Sequence, residues 1–155
     1  MTDVRTVNCP AHVRWMLRRD MPDILRIEQD AFDNPWNEID FRNALRQRNT
    51  IGMTAELLDE KIVGYMLYEL HKDHLFLTNI AVDNDRRFYG VGSTMQHKLF
   101  SKLSHDRRRR IVTMVREDNL GAQLFFQRLG YIATEVVKSP YDDSDVDGYK
   151  MEFYL

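Results

Sequence analysis

Cysteine is almost absent from this chain of 155 residues, because Cys9 is the only one. A single cysteine cannot form an intramolecular disulfide, and it rules out a metal site that needs two thiolate ligands. This cysteine usage is typical of a reducing compartment and favours a cytoplasmic location. We therefore expect no disulfide and no metal ion at the functional site.

Long hydrophobic runs are also missing. No apolar stretch approaches the roughly 18 residues that a membrane-spanning helix needs. The first residues include Asp3, Arg5 and His12 and lack the apolar centre of a secretory signal. We find no internal repeat and no linker rich in glycine and serine. The sequence thus predicts one domain over residues 1–155, with 1–12 as a short flexible or irregular segment, and no membrane partner.

An excess of one charge sign is absent too. The 22 lysines and arginines nearly balance 24 aspartates and glutamates, for a net charge of -2. This balance argues against a nucleic-acid partner. Two local clusters remain, a basic run at Arg107–Arg110 and an acidic stretch over residues 142–147. We interpret both as solvated loops, although the acidic stretch could instead attract a cationic partner through its field.

Apolar periodicity predicts an α/β domain in which about four helices flank a mixed sheet of about seven strands. Asp20 is the expected N-cap of the first helix, and Gly130 is the expected end of the last. The strand at residues 75–82 is nearly all apolar, which predicts burial on both faces. The other predicted strands cover residues 13–17, 51–57, 62–70, 111–115, 131–137 and 148–154, and the helices cover 22–31, 38–47, 91–103 and 120–129.

The most informative segment joins the apolar strand at residues 75–82 to the helix that follows it. It contains two glycines, Gly90 and Gly92, preceded by the cation of Arg87. Glycine can adopt a positive φ and lets a ligand approach the backbone. The free N–H groups and the dipole of a helix N-terminus attract phosphate. The segment therefore predicts a phosphate site, with an ordinary turn as the alternative.

Two other phosphate motifs do not match this segment. A dinucleotide fingerprint needs a third glycine and an acidic residue about 20 positions further on. A P-loop needs a lysine followed by serine or threonine, and Ser93-Thr94 does not supply that pair. The remaining pattern is R/Q-x-x-G-x-G/A, placed between a strand and a helix.

Four stretches in this order resemble the GCN5-related N-acetyltransferase superfamily, from about Val13 to the C-terminus. Within it, the chain is most similar to the ribosomal-protein-alanine N-acetyltransferase branch and its protein N-terminal relatives. The stretches are Ile27-Glu28 with Ala31-Phe32 and Pro35-Trp36, Asn79 to Val82, Arg87 to Gly92, and Val115 to Asn119 with Phe126 to Tyr131.

The resemblance implies the fold of that superfamily, acetyl-CoA as cosubstrate, and direct attack of an amine on the acetyl group in a ternary complex. It implies that an N–H near Val82 polarises the thioester carbonyl. The residues implied to bind acetyl-CoA are Ile80, Ala81 and Val82 at the pantetheine arm, Arg87, Phe88, Tyr89, Gly90, Val91, Gly92 and Ser93 at the diphosphate, and Asn119 and Phe126 at the thiol end.

The resemblance also implies an acceptor groove. Phe32, Pro35 and Trp36 would form one of its walls, and Tyr141 would contact the acceptor. The alternatives are core packing between helices for Phe32 and Trp36, and a packed surface aromatic for Tyr141.

The chain departs from the family pattern at two positions. Met114 stands where close members have a glutamate as general base, and Phe126 stands where they have a tyrosine as acid. Neither side chain can carry a proton. We consider His74 and Tyr141 as substitutes. By period-two counting, His74 would share a face with Phe76 and Thr78, and the alternative is a surface histidine after a turn.

These observations predict an acetyl-CoA-dependent N-acetyltransferase that acts on a protein or peptide N-terminus. An α-amine, with a pKa of about 7.7–8.0, tolerates the loss of a base better than a lysine near 10.4. Two alternatives stay open. One is a small-molecule amine acetyltransferase, and the other is a catalytically impaired domain that binds acetyl-CoA.

Overall fold

The computed structural model of the protein describes residues 11–58, 61–87, 90–141 and 144–155. None of the helices within these residues is long and apolar enough to cross a membrane. The strands are β1 (His12–Trp15), β2 (Thr50–Glu56), β3 (Ile62–Leu70), β4 (His74–Val82), β5 (Arg110–Arg116), β6 (Ile132–Val137) and β7 (Gly148–Tyr154). The α-helices are α1 (Met21–Ala31), α2 (Glu38–Leu45), α3 (Val91–Phe100) and α4 (Leu120–Arg128), and short 3-10 helices span Arg18–Asp20 and Asn84–Arg86.

The strands form one sheet in the order β1-β2-β3-β4-β5-β7-β6. The β4–β5 pair is parallel, and the other neighbours are antiparallel. The prediction of a mixed sheet of about seven strands with about four helices is confirmed for the described residues. Most predicted boundaries lie within a few residues of the observed ones, because the change from period two to period 3.6 is clear in this sequence.

Two apolar clusters lie on opposite faces of the sheet. Helices α1 and α2 cover one face, where Ile24 and Phe41 pack on Tyr65 and Leu67 of β3. The other face carries α3 and α4, whose buried members there are Val91, Met95, Leu99 and Phe126. Each cluster removes apolar surface from water and fixes its helices on the sheet.

A β-bulge interrupts β4 at Thr78. Leu77 lies opposite Tyr68, and Asn79 lies opposite Leu67, so Thr78 is an additional residue in β4. Directly opposed residues of an antiparallel pair point to the same face. Leu77 accordingly belongs to the α3–α4 face with Tyr68, whereas Asn79 follows Leu67 to the α1–α2 face. Odd-numbered positions of β4 therefore face α3 and α4 before the bulge, and face α1 and α2 after it.

The parallel pairing of β4 and β5 ends early. It begins at His74 opposite Arg110 and stops at Leu77 opposite Thr113, where the Thr113 hydroxyl donates to the Leu77 carbonyl at 2.9 Å. Beyond that point Thr78–Val82 and Met114–Arg116 do not pair with each other. The two strands therefore leave a gap in the middle of the sheet, at their carboxyl ends, which is where open α/β sheets bind ligands.

One prediction about local structure was wrong, and another holds only for the position of the residue. β4 is central but is not buried on both faces, because Phe76 is partly exposed, as are Thr78 and Ile80 beside the gap. Asp20 precedes α1 as predicted, but its carboxylate does not cap that helix. It accepts the Leu17 N–H at 2.7 Å and pairs with Arg14 at 2.8 Å, and thereby fastens the end of β1.

The N-terminal segment and the basic run also differ in part from their predictions. Strand β1 begins at His12, which was expected to be irregular, and residues 1–10 lie outside the described residues. In the basic run, Arg107 and Arg109 are exposed, as expected for a solvated loop. Arg108 instead donates to the His71 carbonyl, and Arg110 lies in β5 and pairs with Glu152.

Candidate active site

The gap between β4 and β5 opens into a cleft of about 510 Å³. Five parts of the chain meet there: α1 with the loop that follows it, the bulged part of β4, the end of β5, the start of α4, and the loop between β6 and β7. The lining residues are Glu28, Ala31, Phe32, Asp33, Asn34, Trp36, Thr78, Asn79, Ile80, Met114, Val115, Arg116, Asp118, Asn119, Ala122, Phe126 and Tyr141.

A larger depression of about 690 Å³ lies along the edge strand β6, away from the strand gap. Its walls come from residues 130–136 and from Gln123 and Gln127 of α4. It contains none of the residues predicted to bind acetyl-CoA, to contact the acceptor or to carry a proton. The cleft at the gap is therefore the candidate active site.

The N-terminus of α3 lies just beyond the end of β4. Gly90 is its N-cap, with φ at 82°, a left-handed conformation that non-glycine residues rarely adopt. Among the described residues no side chain caps the helix, so its first-turn amides are available to a ligand. Gly92 has a different role, because a Cβ there would lie 3.0 Å from the Phe125 ring. It allows α3 to pack closely on α4.

The loop between β4 and α3 is anchored by Asp83. Its carboxylate accepts the Asp85 N–H at 3.1 Å and pairs with Arg26 of α1, also at 3.1 Å. Burial opposes ionisation of Asp83, but these hydrogen bonds outweigh it and lower its pKa. Arg87 follows as an exposed cation. The predicted site residues Phe88 and Tyr89 lie outside the described residues.

Glu28 connects the wall of the cleft to the core. It is only 2% exposed, and its carboxylate accepts the Trp36 N–H at 2.9 Å and the Tyr65 hydroxyl. Burial raises the pKa of Glu28, and burial next to Glu28 raises that of Tyr65. Sequence reasoning did not select Glu28 as a site residue. The available signal was a carboxylate on the apolar face of α1, one turn after Ile24.

The predicted acceptor wall is only partly in the cleft. Trp36 lines it and packs edge-on against Phe41, with ring centroids 5.3 Å apart. Phe32 lines the cleft and is exposed, whereas Pro35 is exposed outside the lining. Tyr141 also lines the cleft, with the Arg116 guanidinium 5.0 Å from its ring centroid. Three of the four predicted acceptor residues thus meet at one surface.

The residues expected at the thiol end come from β5 and α4. Met114 lines the cleft, and its sulfur lies against Gly148, where a Cβ would approach it to 2.8 Å. Phe126 is buried and packs against Tyr131, with ring centroids 5.0 Å apart. Asn119 caps α4 by accepting the Ala122 N–H at 3.1 Å. The positions that would carry a base and an acid are therefore a thioether and a phenyl ring.

His74 lies at the opposite end of β4. Its ring stacks on His71 with centroids 4.7 Å apart, and its Nδ1 lies 2.7 Å from Asp73. Along a strand, its distance from Thr78 is about 13 Å, and the bulge breaks the period-two relation that linked the two residues. The hypothesis that His74 carries a proton has no geometric support.

Two of the predicted pantetheine residues and the acidic stretch do not line the cleft within the described residues. Ala81 is buried under α1, and Val82 packs on the α3–α4 face. The carboxylate of Asp147, in the acidic stretch, pairs with Lys138 at 3.0 Å and accepts the Ser139 N–H at 3.1 Å. Asp142 and Asp143 lie outside the described residues.

Comparison with known proteins gives a consistent result. The model of the acetyltransferase (GNAT) family matches residues 21–131. A putative ribosomal protein bS18-alanine N-acetyltransferase of Bacillus subtilis is 26% identical over 141 residues, which cover 91% of this chain and 93% of the relative. The ribosomal protein bS18-alanine N-acetyltransferase of Escherichia coli is 26% identical over 129 residues, covering 81% and 84%.

Solved structures share the fold. Ard1 from Thermoplasma volcanium superposes with a TM-score of 0.83 at 21% identity and covers 94% of this chain and 98% of its own. The ribosomal-protein-S18-alanine N-acetyltransferase from Escherichia coli gives a TM-score of 0.81 at 22% identity, covering 94% of each chain.

Proposed function

Because the chain belongs to the acetyltransferase (GNAT) family, we propose that it transfers the acetyl group of acetyl-CoA to the N-terminal α-amine of a protein or peptide. Two curated relatives are named for an alanine of ribosomal protein bS18. Naa20 from Chaetomium thermophilum, with a bisubstrate analogue, has a TM-score of 0.80. The observation that carries the proposal is the gap between β4 and β5, which ends beside the turn at Gly90, where no described side chain caps α3.

The residues at this gap fit acetyl-CoA, which supplies an acetyl group activated as a thioester. Ile80, Ala81 and Val82 lie in the part of β4 that has no β5 partner, so their backbone suits an extended pantetheine arm. The first-turn amides of α3 at Val91, Gly92 and Ser93 suit a diphosphate. Arg87 would add a cation near that end. In this arrangement Val82 N–H would polarise the thioester carbonyl.

The acceptor half supplies no proton carrier at the usual positions, because Met114 and Phe126 occupy them. A thiol with a pKa near 8.5 leaves as a thiolate without an acid. Roughly a tenth of an α-amine is already neutral at pH 7, whereas under about one part in a thousand of a lysine is neutral. This difference favours an α-amine over a lysine as the acceptor.

The test is a thiol-release assay with wild-type protein and two matched peptides. One has a free N-terminus and no lysine, and the other is N-acetylated and carries one lysine. We expect the free N-terminus to react roughly 10²-fold faster, as the neutral fractions predict. Met114→Glu should raise the lysine rate about tenfold, since it places a carboxylate in the cleft.

Three results would contradict the proposal in different ways. A faster reaction of the lysine peptide would reject the α-amine as acceptor. A polyamine or aminoglycoside that outpaces both peptides would identify a small-molecule acetyltransferase. Acetyl-CoA binding in a calorimeter without turnover of any amine would identify a domain that binds acetyl-CoA but has lost catalysis.

A further inference from the structure

Two side-chain oxygens in the cleft are buried without a partner. Thr78 Oγ1 and Asn79 Oδ1 have no hydrogen bond within the part of the chain that the structure describes, and both residues line the cleft. Buried polar atoms are nearly always hydrogen-bonded, because an unpaired one loses its water without compensation. Two adjacent exceptions at a binding cleft indicate that their partner is a ligand.

The bulge determines which half of the cleft this ligand occupies. Asn79 lies opposite Leu67, which packs with Ile24 and Phe41 on the α1–α2 face. The next residue, Ile80, lies opposite Met66 and packs on the α3–α4 face. Asn79 therefore points toward α1, the helix that carries Glu28, and away from the start of α3. Asn79 Oδ1 thus faces the acceptor half of the cleft, and not the diphosphate end of the cosubstrate.

The chemistry of the two oxygens specifies a donor. Asn79 Oδ1 can only accept hydrogen bonds, and the Thr78 hydroxyl can accept as well as donate. A neutral primary amine has two N–H donors and one lone pair. If two oxygens accept the two N–H bonds, the lone pair is left to point at the thioester carbon.

We propose that Thr78 and Asn79 hold the acceptor amine and orient its lone pair toward the thioester. This inference rests on the proposed function. As the N–C bond forms and the C–S bond breaks, one N–H remains in the product amide. The other proton passes to water, and CoA leaves as a thiolate. The β-bulge thus replaces some of the positioning that a catalytic carboxylate on β5 would provide.

The proposal predicts opposite effects on binding and on stability. Neither oxygen makes an internal hydrogen bond, so an apolar residue of the same shape should not weaken the fold. The variants are Thr78→Val, Asn79→Leu and the double variant. The matched control is Thr54→Val on β2, because Thr54 Oγ1 is also buried without a partner among the described residues but does not line the cleft.

The experiment measures binding of a peptide with a free α-amine, and of its N-acetylated twin, to protein saturated with CoA. Calorimetry gives both dissociation constants, and a thermal melt gives Tm. We expect the wild type to prefer the free amine, and each single variant to lose about five- to tenfold of that preference. The double variant should bind both peptides equally. Thr54→Val should bind as the wild type does, and Tm should hold or rise in every variant.

Three outcomes would overturn the inference. They are a wild type without preference for the free amine, a double variant that keeps the preference, and a Tm that falls for Thr78→Val but not for Thr54→Val. The last would mean that the Thr78 hydroxyl has a structural partner. The proposed function is tested separately, by thiol release from acetyl-CoA with the wild-type protein. Calorimetry on CoA-saturated protein measures amine binding without turnover, so the two failures can be distinguished.

Discussion

The two halves of the cleft are built in different ways. On the proposed cosubstrate side, the groups offered to a ligand are backbone amides at the end of β4 and at the Gly90 turn. On the acceptor side they are side chains, Glu28 and Asn79 among them, that a helix and a bulge bring together. A backbone site needs only a conformation and tolerates many side chains. A side-chain site can change its chemistry while the fold stays the same, as Met114 and Phe126 illustrate.

The largest expected effect comes from breaking the cosubstrate half at Gly90. Valine there would have to adopt a φ of 82°, at a cost of about 1–3 kcal/mol. If the turn relaxes to avoid that strain, its amides no longer converge on the diphosphate. The dissociation constant of acetyl-CoA should rise roughly 10- to 100-fold, as calorimetry would measure.

Gly121→Ala is the matched control for that variant. The nearest atom to a Cβ at Gly121 is Asn119 Oδ1, at 3.8 Å, so a methyl group has room. Alanine inside helix α4 should stabilise the fold by about 0.5–1 kcal/mol and leave acetyl-CoA binding unchanged. Equal acetyl-CoA affinity in Gly90→Val and in the control would reject a role for the turn.

A smaller effect, on the free energy of unfolding, is expected at Asp83. This residue pairs with Arg26 and anchors the loop between β4 and α3. Asp83→Asn should lower the free energy of unfolding at pH 7 by about 1–2 kcal/mol, since Arg26 is partly exposed. The pKa of Asp83 is lowered in the fold, so its contribution is present above the unfolded value, about 3.9, and is lost as pH falls through the folded value. The difference between wild type and variant should therefore shrink at pH 3.

Asp23→Asn is the control for this effect, because Asp23 pairs with the same arginine at 3.5 Å but is 46% exposed. Urea unfolding should show a change within about 0.5 kcal/mol for Asp23→Asn. If both variants lose the same stability at pH 7, or if the Asp83→Asn difference persists undiminished at pH 3, the anchoring role of Asp83 is incorrect.

The fold and the turn at Gly90 could be predicted from the sequence because their signals are local. The period of the apolar residues gives the strands and helices, and Gly90 at a strand–helix junction marks a turn with positive φ. The acceptor half depends on the bulge at Thr78, which inserts one residue into β4 without a sequence signal. Period-two counting across that bulge led to the His74 hypothesis, whereas the apolar composition of residues 75–82 led to the incorrect prediction that β4 is buried on both faces.

The partners of buried polar groups are the second kind of feature that could not be predicted from the sequence. Glu28 is on an apolar helix face, and its partners, the Trp36 N–H and the Tyr65 hydroxyl, are brought there only by tertiary packing. Asp20 shows the same limit, because a good N-cap residue was used instead to pair with Arg14. Local propensity identifies such residues as polar and near a helix, but their partners are set by the arrangement of distant elements.

The most direct test of the account is an amide NMR titration of the wild-type protein with acetyl-CoA. We expect the largest shifts on the amides of Val91, Gly92 and Ser93, and the next largest on Ile80 to Val82. The amides of β6, beside the larger depression, should stay unchanged. Shifts concentrated along β6, or an unperturbed N-terminus of α3 at saturation, would contradict the assignment of the strand gap as the acetyl-CoA site.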